Sequence, residues 1–217
     1  MVWSKVLNVR RLFDVFRVLS KADRQERRKV IALLKLYKKL DDDIRRFQKE
    51  TALCCERGCG RCCENPNVET TVLELLPLAI SLWQNGQAAK WLKKANQAGA
   101  EGRCIFYAPD PQRDGKGRCS VYLWRPLICR LFGFSAKSNK NGMPMLVTCP
   151  TIKTQYAREY EKARKMIEGG AFVPKMGDYA FEAAQIDPPL GQEQLPINRA
   201  VKVALEKAGL FSRLRSQ

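Results

Sequence analysis

The sequence predicts a mainly α protein with a loop-rich centre and little β structure. Apolar residues recur at helical spacing in the first fifty residues and again after residue 150. Between them lies a stretch dense in proline, glycine and cysteine, where no long period holds. Further helices are announced by capping boxes at their starts and by glycines where they stop.

Taken in order, residues 2–19 read as a short amphipathic helix. Val2, Val6, Val9, Phe13 and Phe16 recur at four-three-four-three spacing, with Lys5, Arg10, Arg11 and Arg17 as the basic residues. A basic amphipathic helix can lie on a membrane surface, but packing against the next helix is the commoner fate of such a stripe. Asp23-Arg24-Gln25-Glu26 forms a capping box for a second, longer helix. Val30, Leu33, Tyr37, Leu40, Ile44 and Phe47 then alternate by three and four, the seam of a helical hairpin. The seam is too short for an independent coiled coil, so an arm packed on the centre is expected. Asp41-Asp42-Asp43 reads as the solvated face of this helix.

Asn65-Pro66-Asn67 is a turn, and Thr71-Val72-Leu73-Glu74 is a second capping box. The helix it opens shows Leu73, Leu76, Ile80 and Trp83 on one face, and Pro77 is expected to kink or shorten it. Gly86 punctuates, and a short helix spans about 88–98 before Gly99. Residues 103–134 are irregular, with a short extended run at 121–124, and a turn at 139–142 separates two extended segments. Helices return near 151–168, 175–184 and 198–208, with Gly169-Gly170 and Gly209 as expected stops. Three parts follow: a basic helical arm over 1–50, a cysteine-rich domain over 51–150, and C-terminal helices over 151–217 that pack on the core.

Within 217 residues there are nine cysteines and no histidine. Five cysteines fall between residues 54 and 63, in the run Cys54-Cys55-Glu56-Arg57-Gly58-Cys59-Gly60-Arg61-Cys62-Cys63. Cys104, Cys119, Cys129 and Cys149 follow. Unliganded cysteines scatter through a core without pattern. Thiols crowded on a glycine-bearing loop instead suit a soft metal or an iron–sulfur cluster. The adjacent pair Cys62-Cys63 is awkward for one mononuclear ion and suits a larger cluster or two centres side by side. Arg125-Pro126 precedes Cys129, which places Cys129 about one turn inside a short helix.

The remaining composition narrows the class. Disulfides would imply secretion and usually a small chain, whereas the N-terminus lacks the apolar centre of a signal peptide and no stretch reaches the ~20 apolar residues of a membrane span. A cytoplasmic, reducing environment is the expectation. Without histidine there is no Ser-His or Cys-His pair for hydrolytic catalysis. The formal charge of +17 is spread as 15 basic against 7 acidic residues in 1–50, 13 against 7 in 51–150, and 11 against 8 in 151–217. Two metal-bound sets of four thiolates would reduce +17 to about +13. The excess argues non-specific attraction to nucleic acid or an anionic membrane surface, not a site. An unknown protein partner is the other partner class this charge admits.

Residues Cys55-x3-Cys59-Gly60-Arg61-Cys62-Cys63, Cys104, Gly117-Arg118-Cys119-Ser120-Val121-Tyr122, Arg125-Pro126-x2-Cys129-Arg130 and Cys149 together resemble the YkgJ-type cysteine-cluster proteins. These are described as zinc- or iron-chelating, and a relative of the type occurs in flagellin lysine methylases. The resemblance covers roughly residues 55–150 and implies metal binding through Cys55, Cys59, Cys62, Cys63, Cys104, Cys119, Cys129 and Cys149. It supplies no reaction, and Cys54 falls outside the pattern as an extra buried or supporting thiol. Arg61, Arg125 and Arg130 are the candidates for offsetting thiolate charge or holding an anion beside the cofactor.

The spacing Cys55-x3-Cys59-x2-Cys62 also matches the loop of radical S-adenosylmethionine enzymes, but Arg61 stands where those carry an aromatic residue and no strand–helix alternation follows. The second cysteine group lacks the paired knuckles of structural zinc sites, so an iron–sulfur cluster is favoured over Zn2+. The expectation is therefore a mainly α protein with a loop-rich, cysteine-ligated metal-binding centre. One or two all-cysteine centres would serve electron transfer or a protein-modification reaction. The alternative is a structural zinc-binding adaptor whose basic helical arm holds a partner, nucleic acid or a membrane surface.

Overall fold

The computed structural model describes residues 24–56, 58–99, 102–113 and 116–213. The amphipathic stretch 2–19 and the capping residue Asp23 lie outside the described residues. The helices are α1 (Arg24–Thr51), α2 (Val72–Gln84), α3 (Ala88–Ala98), α4 (Leu127–Leu131), α5 (Pro150–Gln155), α6 (Ala157–Glu168), α7 (Met176–Ile186), α8 (Pro188–Gly191) and α9 (Ile197–Arg213). Strands form three antiparallel pairs: β1 (Glu69–Thr70) with β6 (Leu195–Pro196), β2 (Tyr107–Pro109) with β3 (Gly117–Cys119), and β4 (Ser135–Ser138) with β5 (Pro144–Val147). The protein is mainly α with little β, as its sequence predicts.

The long helix α1 is the spine. Its six seam residues, from Val30 to Phe47, are all buried, and the helix packs on α2, α4, α6 and α7. Only the middle aspartate of the Asp41–Asp43 run is exposed. Asp41 pairs with Arg130, and Asp43 accepts the Tyr179 hydroxyl, so the expected solvated face is half turned inward.

The capping box that opens α2 is complete, with Glu74 N donating to Thr71 Oγ1 at 3.3 Å and Thr71 N to Glu74 Oε1 at 3.4 Å. Helix α2 does not stop at Pro77. Ten of its thirteen residues are buried, and a helix apolar on nearly every side is held by packing that outweighs the roughly 3 kcal/mol a proline costs. Helix α9 lies along it and runs through Gly209, where the sequence predicts a stop. A Cβ at 209 would stand 2.6 Å from Trp83 Cζ2, so this glycine serves helix packing. Trp83 Nε1 donates to Leu205 O at 2.7 Å across that contact. Trp83→Phe is expected to cost about 1 kcal/mol through this hydrogen bond alone, read as a lower urea midpoint at unchanged slope.

Two other expectations need correction. The predicted helix 151–168 breaks at Tyr156, whose φ of −123° and ψ of 43° leave the helical region. The run 121–124 is a 3-10 turn, not a strand. Trp124 N donates to Val121 O at 2.8 Å, and arginines take the next two carbonyls: Tyr122 O accepts from Arg125, and Leu123 O accepts from Arg130.

Two apolar clusters organise the interior. The larger runs from Val30 through α2, α3, Phe106 and α4 to Ala208, so residues of the arm, the cysteine region and the C-terminal helices share one core. The smaller joins Phe47, Leu53, Ala136, Ile152, Ala163, Ile167 and Val173. The cysteine region lies between them.

Candidate metal centre

The first cysteine loop leaves α1 sharply. Ala52 adopts a left-handed φ of 63°, and Thr51 Oγ1 steadies the exit by donating to Phe47 O and accepting from Leu53 N. Two glycines then fasten the loop to the β2–β3 hairpin. Gly117 N donates to Gly58 O at 2.9 Å, and a Cβ on Gly60 would meet Tyr107 Cε2 at 2.6 Å and the Gly117 carbonyl carbon at 2.8 Å. Gly60 also carries a φ of 67°, which suits glycine. Cys63 N then donates to Gly60 O at 2.8 Å, closing a 3-10 turn over Arg61–Cys63.

A backbone bond, a strand pair and a short helix position three more cysteines. Cys104 N donates to Cys63 O at 3.3 Å. The buried Asn198 holds the approach to Cys104 from α9, accepting from Ile105 N at 3.1 Å and donating to the Gly102 and Arg103 carbonyls. Pairing of β2 with β3 sets Cys119 across from Tyr107. Cys129 sits at the third position of α4, within one turn of Pro126 as expected.

That short helix is held at both ends. Glu74, 5% exposed, turns Oε2 to accept Leu127 N at 2.6 Å at its start. At its end Arg130, 4% exposed, donates through Nη1 to both Asp41 oxygens at 2.7 Å and through Nε to Arg125 O at 2.7 Å. Its guanidinium lies 4.3 Å from the Tyr37 ring centroid, and the Tyr37 hydroxyl donates to Glu74 O at 2.7 Å. Cys149 stands apart from these. It caps α5, its Sγ accepting from Ile152 N at 3.4 Å, with Pro150 as the first helical residue.

The thiols are electrostatic neighbours. Hydrogen bonding with Cys119 and Cys62 raises the Cys63 thiol. The same contact is the first cause lowering Cys62, to about 6, and lowering Cys119; Arg125 adds to both. Burial pushes Cys55 up to about 12 and Cys104 up to about 11, and raises Cys129 further. Cys55 and Cys62 are exposed as residues, yet other thiols surround their sulfurs. Thiols held neutral by burial are what deprotonation by a soft cation replaces. The all-sulfur donor set therefore fits a soft metal. Among the described residues no three cysteine, aspartate or glutamate side chains stand close enough in this conformation to hold an ion, so the sulfurs are gathered but not closed into a cage.

The three predicted arginines separate. Arg125 is the one beside the sulfurs: it opposes the burial of Cys129 and donates to Cys129 O at 3.0 Å, while stacked 3.5 Å from the Tyr122 ring centroid. Arg130 is fully engaged with Asp41 and two backbone carbonyls, which makes it a brace for α4 and removes it as an anion site. Arg61 is exposed on the 3-10 turn. Cys54 meets the Tyr156 hydroxyl, a supporting contact consistent with its place outside the cysteine pattern. Tyr37, Asp41 and Asn198 carry no cysteine-linked signal in sequence. Glu74 is visible there as the cap of α2 but not as the cap of α4.

A cysteine-built metal-binding protein is the class these elements define. Residues 53–150 match the family model CxxCxxCC, described as "Putative zinc- or iron-chelating domain". No curated protein and no solved structure matches the chain.

Proposed function

We propose that the chain holds its metal as an iron–sulfur cluster and that the centre serves electron transfer or supports a protein-modification reaction. The observation that carries this reading is the origin of the donors. Cys104, Cys119 and Cys129 come from a loop, a strand and a helix, with no paired knuckle among them. Clusters gather ligands from separate segments in this way, whereas structural zinc favours closely spaced pairs. Cys55, Cys59, Cys62, Cys63 and Cys149 complete the ligand set in this reading. Arg125 offsets thiolate charge, and Arg61 is the exposed arginine nearest the turn that would face an approaching anion.

A cytoplasmic location goes with this reading, because a reducing compartment keeps thiols available. All nine cysteines are unpaired thiols, and among the described residues no helix is long and apolar enough to cross a membrane. The competing adaptor reading needs free basic groups on the arm. Among the described residues of the arm, Lys38 and Arg45 pair with Asp42, Arg46 with Glu50, and Lys39 with Glu182, all in exposed pairs that a partner's acidic groups could displace.

Metal and acid-labile sulfide content, with a visible spectrum of protein purified without air, tests the proposal. Iron with matching sulfide and a broad brown absorbance is expected. Colourless protein carrying zinc and no sulfide would replace it with the structural zinc reading, and attention would move to what binds the basic surface.

A further inference from the structure

The interior sorts five of the cysteines into two groups. Cys104 belongs to the larger apolar cluster, and Cys63, Cys119 and Cys129 pack against it. Cys149 rests against the smaller one, beside Leu53 and Ile152. The backbone follows the same division. Cys104 is bonded to Cys63 through the main chain, and Ser120 N donates to Phe106 O at 2.9 Å, fixing Cys119 next to the Cys104 turn. Helix α4 then brings Cys129 to the same cluster. Cys149 instead heads α5 behind the β4–β5 hairpin, on the side from which the chain leaves α1 at Leu53. Cys55, Cys59 and Cys62 follow on the loop that begins at Leu53, whose side chain lies in the same smaller cluster as Cys149.

We infer that the eight cysteines form two four-thiol metal centres, Cys55/Cys59/Cys62/Cys149 and Cys63/Cys104/Cys119/Cys129, which meet at the Cys62–Cys63 peptide. This rests on the metal-binding reading above and holds for zinc or iron–sulfur alike. The division explains why two adjacent cysteines are needed. Neighbouring side chains on a tight turn diverge, so one serves each centre, and four thiolates per centre complete a tetrahedral ion or a four-iron cluster. Cys54, engaged by Tyr156, belongs to neither set.

The full chain, purified without air, is examined by native mass spectrometry and elemental analysis beside Cys129→Ser, Cys149→Ser and Cys54→Ser. Two zinc ions or two clusters per wild-type chain are expected. Cys129→Ser and Cys149→Ser should each lose one, a halving, and Cys54→Ser should keep both. One ion or one cluster in the wild type, or loss of all metal from both single variants with circular dichroism unchanged, overturns the division while leaving metal binding intact. A wild-type chain with no metal overturns the metal-binding reading itself. If a variant does not fold, the wild-type count alone decides between one centre and two.

Discussion

Arg130→Ala is expected to lower the stability of the protein by about 3 kcal/mol, the low end of the range for breaking a buried ion pair, because Asp41 keeps 29% of its side chain in water. The guanidinium satisfies both Asp41 oxygens and the carbonyls of Leu123 and Arg125, while its face covers Tyr37. Alanine leaves a carboxylate and two carbonyls without these donors and opens space against the ring. Lysine should not rescue it. An ammonium is a point donor on a flexible stem and cannot reach acceptors spread around a planar fork. A urea midpoint shifted down at constant slope would confirm the loss, and a change within 0.5 kcal/mol for both variants would show the cluster to be dispensable. Asp41→Asn should also destabilise the protein, because it keeps one carbonyl acceptor but leaves the buried Arg130 guanidinium without its counter-charge. Because Arg130 follows Cys129 directly and braces α4 against α1, the same variant should also weaken metal retention, visible as faster loss to a chelator.

How much of this site the sequence carries depends on the range of each interaction. The seam of α1 is legible because periodicity is a local property, and each of its six residues is indeed buried. The capping box Thr71–Glu74, the turn at Asn65–Asn67 and the position of Cys129 behind Pro126 are legible for the same reason. Gly209 and Pro77 mislead because their meaning is set by what lies beside them: Trp83 for the glycine, and burial on nearly every side for the proline. Arg130 has a chemically sensible place beside Cys129 in sequence, but its role is fixed by an aspartate 89 residues away. Cysteine spacing marks the thiols but not their surroundings: Cys63, Cys104, Cys119 and Cys129 rest against one apolar cluster and Cys149 against the other, a long-range fact absent from the spacing.

Glu74→Ala is expected to cost roughly 3 kcal/mol, from two backbone N–H groups left unsatisfied at about 1–3 kcal/mol each, partly offset by removing a buried carboxyl. Those groups are Leu127 N and Thr71 N, so one substitution uncaps α4 and removes the returning half of the α2 capping box, while Thr71 Oγ1 still accepts the N–H of residue 74. Glu74→Gln keeps one acceptor and turns an amide NH2 toward the other donor, and about half the loss is expected. The pH dependence separates the two forms of the native side chain. Burial raises the Glu74 carboxyl above its ordinary value, despite the N–H donors that favour the anion. A carboxyl raised on folding binds its proton more tightly in the folded state. Its contribution is therefore fully present below the ordinary glutamate value of about 4.3 and is lost as pH rises through the higher folded value. The stability advantage of wild type over Glu74→Gln should thus be largest in mild acid and shrink toward neutrality. A flat difference, or one growing with pH, would mean that the hydrogen bonds outweigh burial and that the carboxylate stays ionised. Loss of the α4 cap also loosens Cys129, so metal held by Cys129 and its neighbours should bind 10–100-fold more weakly in Glu74→Ala, the effect typical of removing a group that orients a ligand.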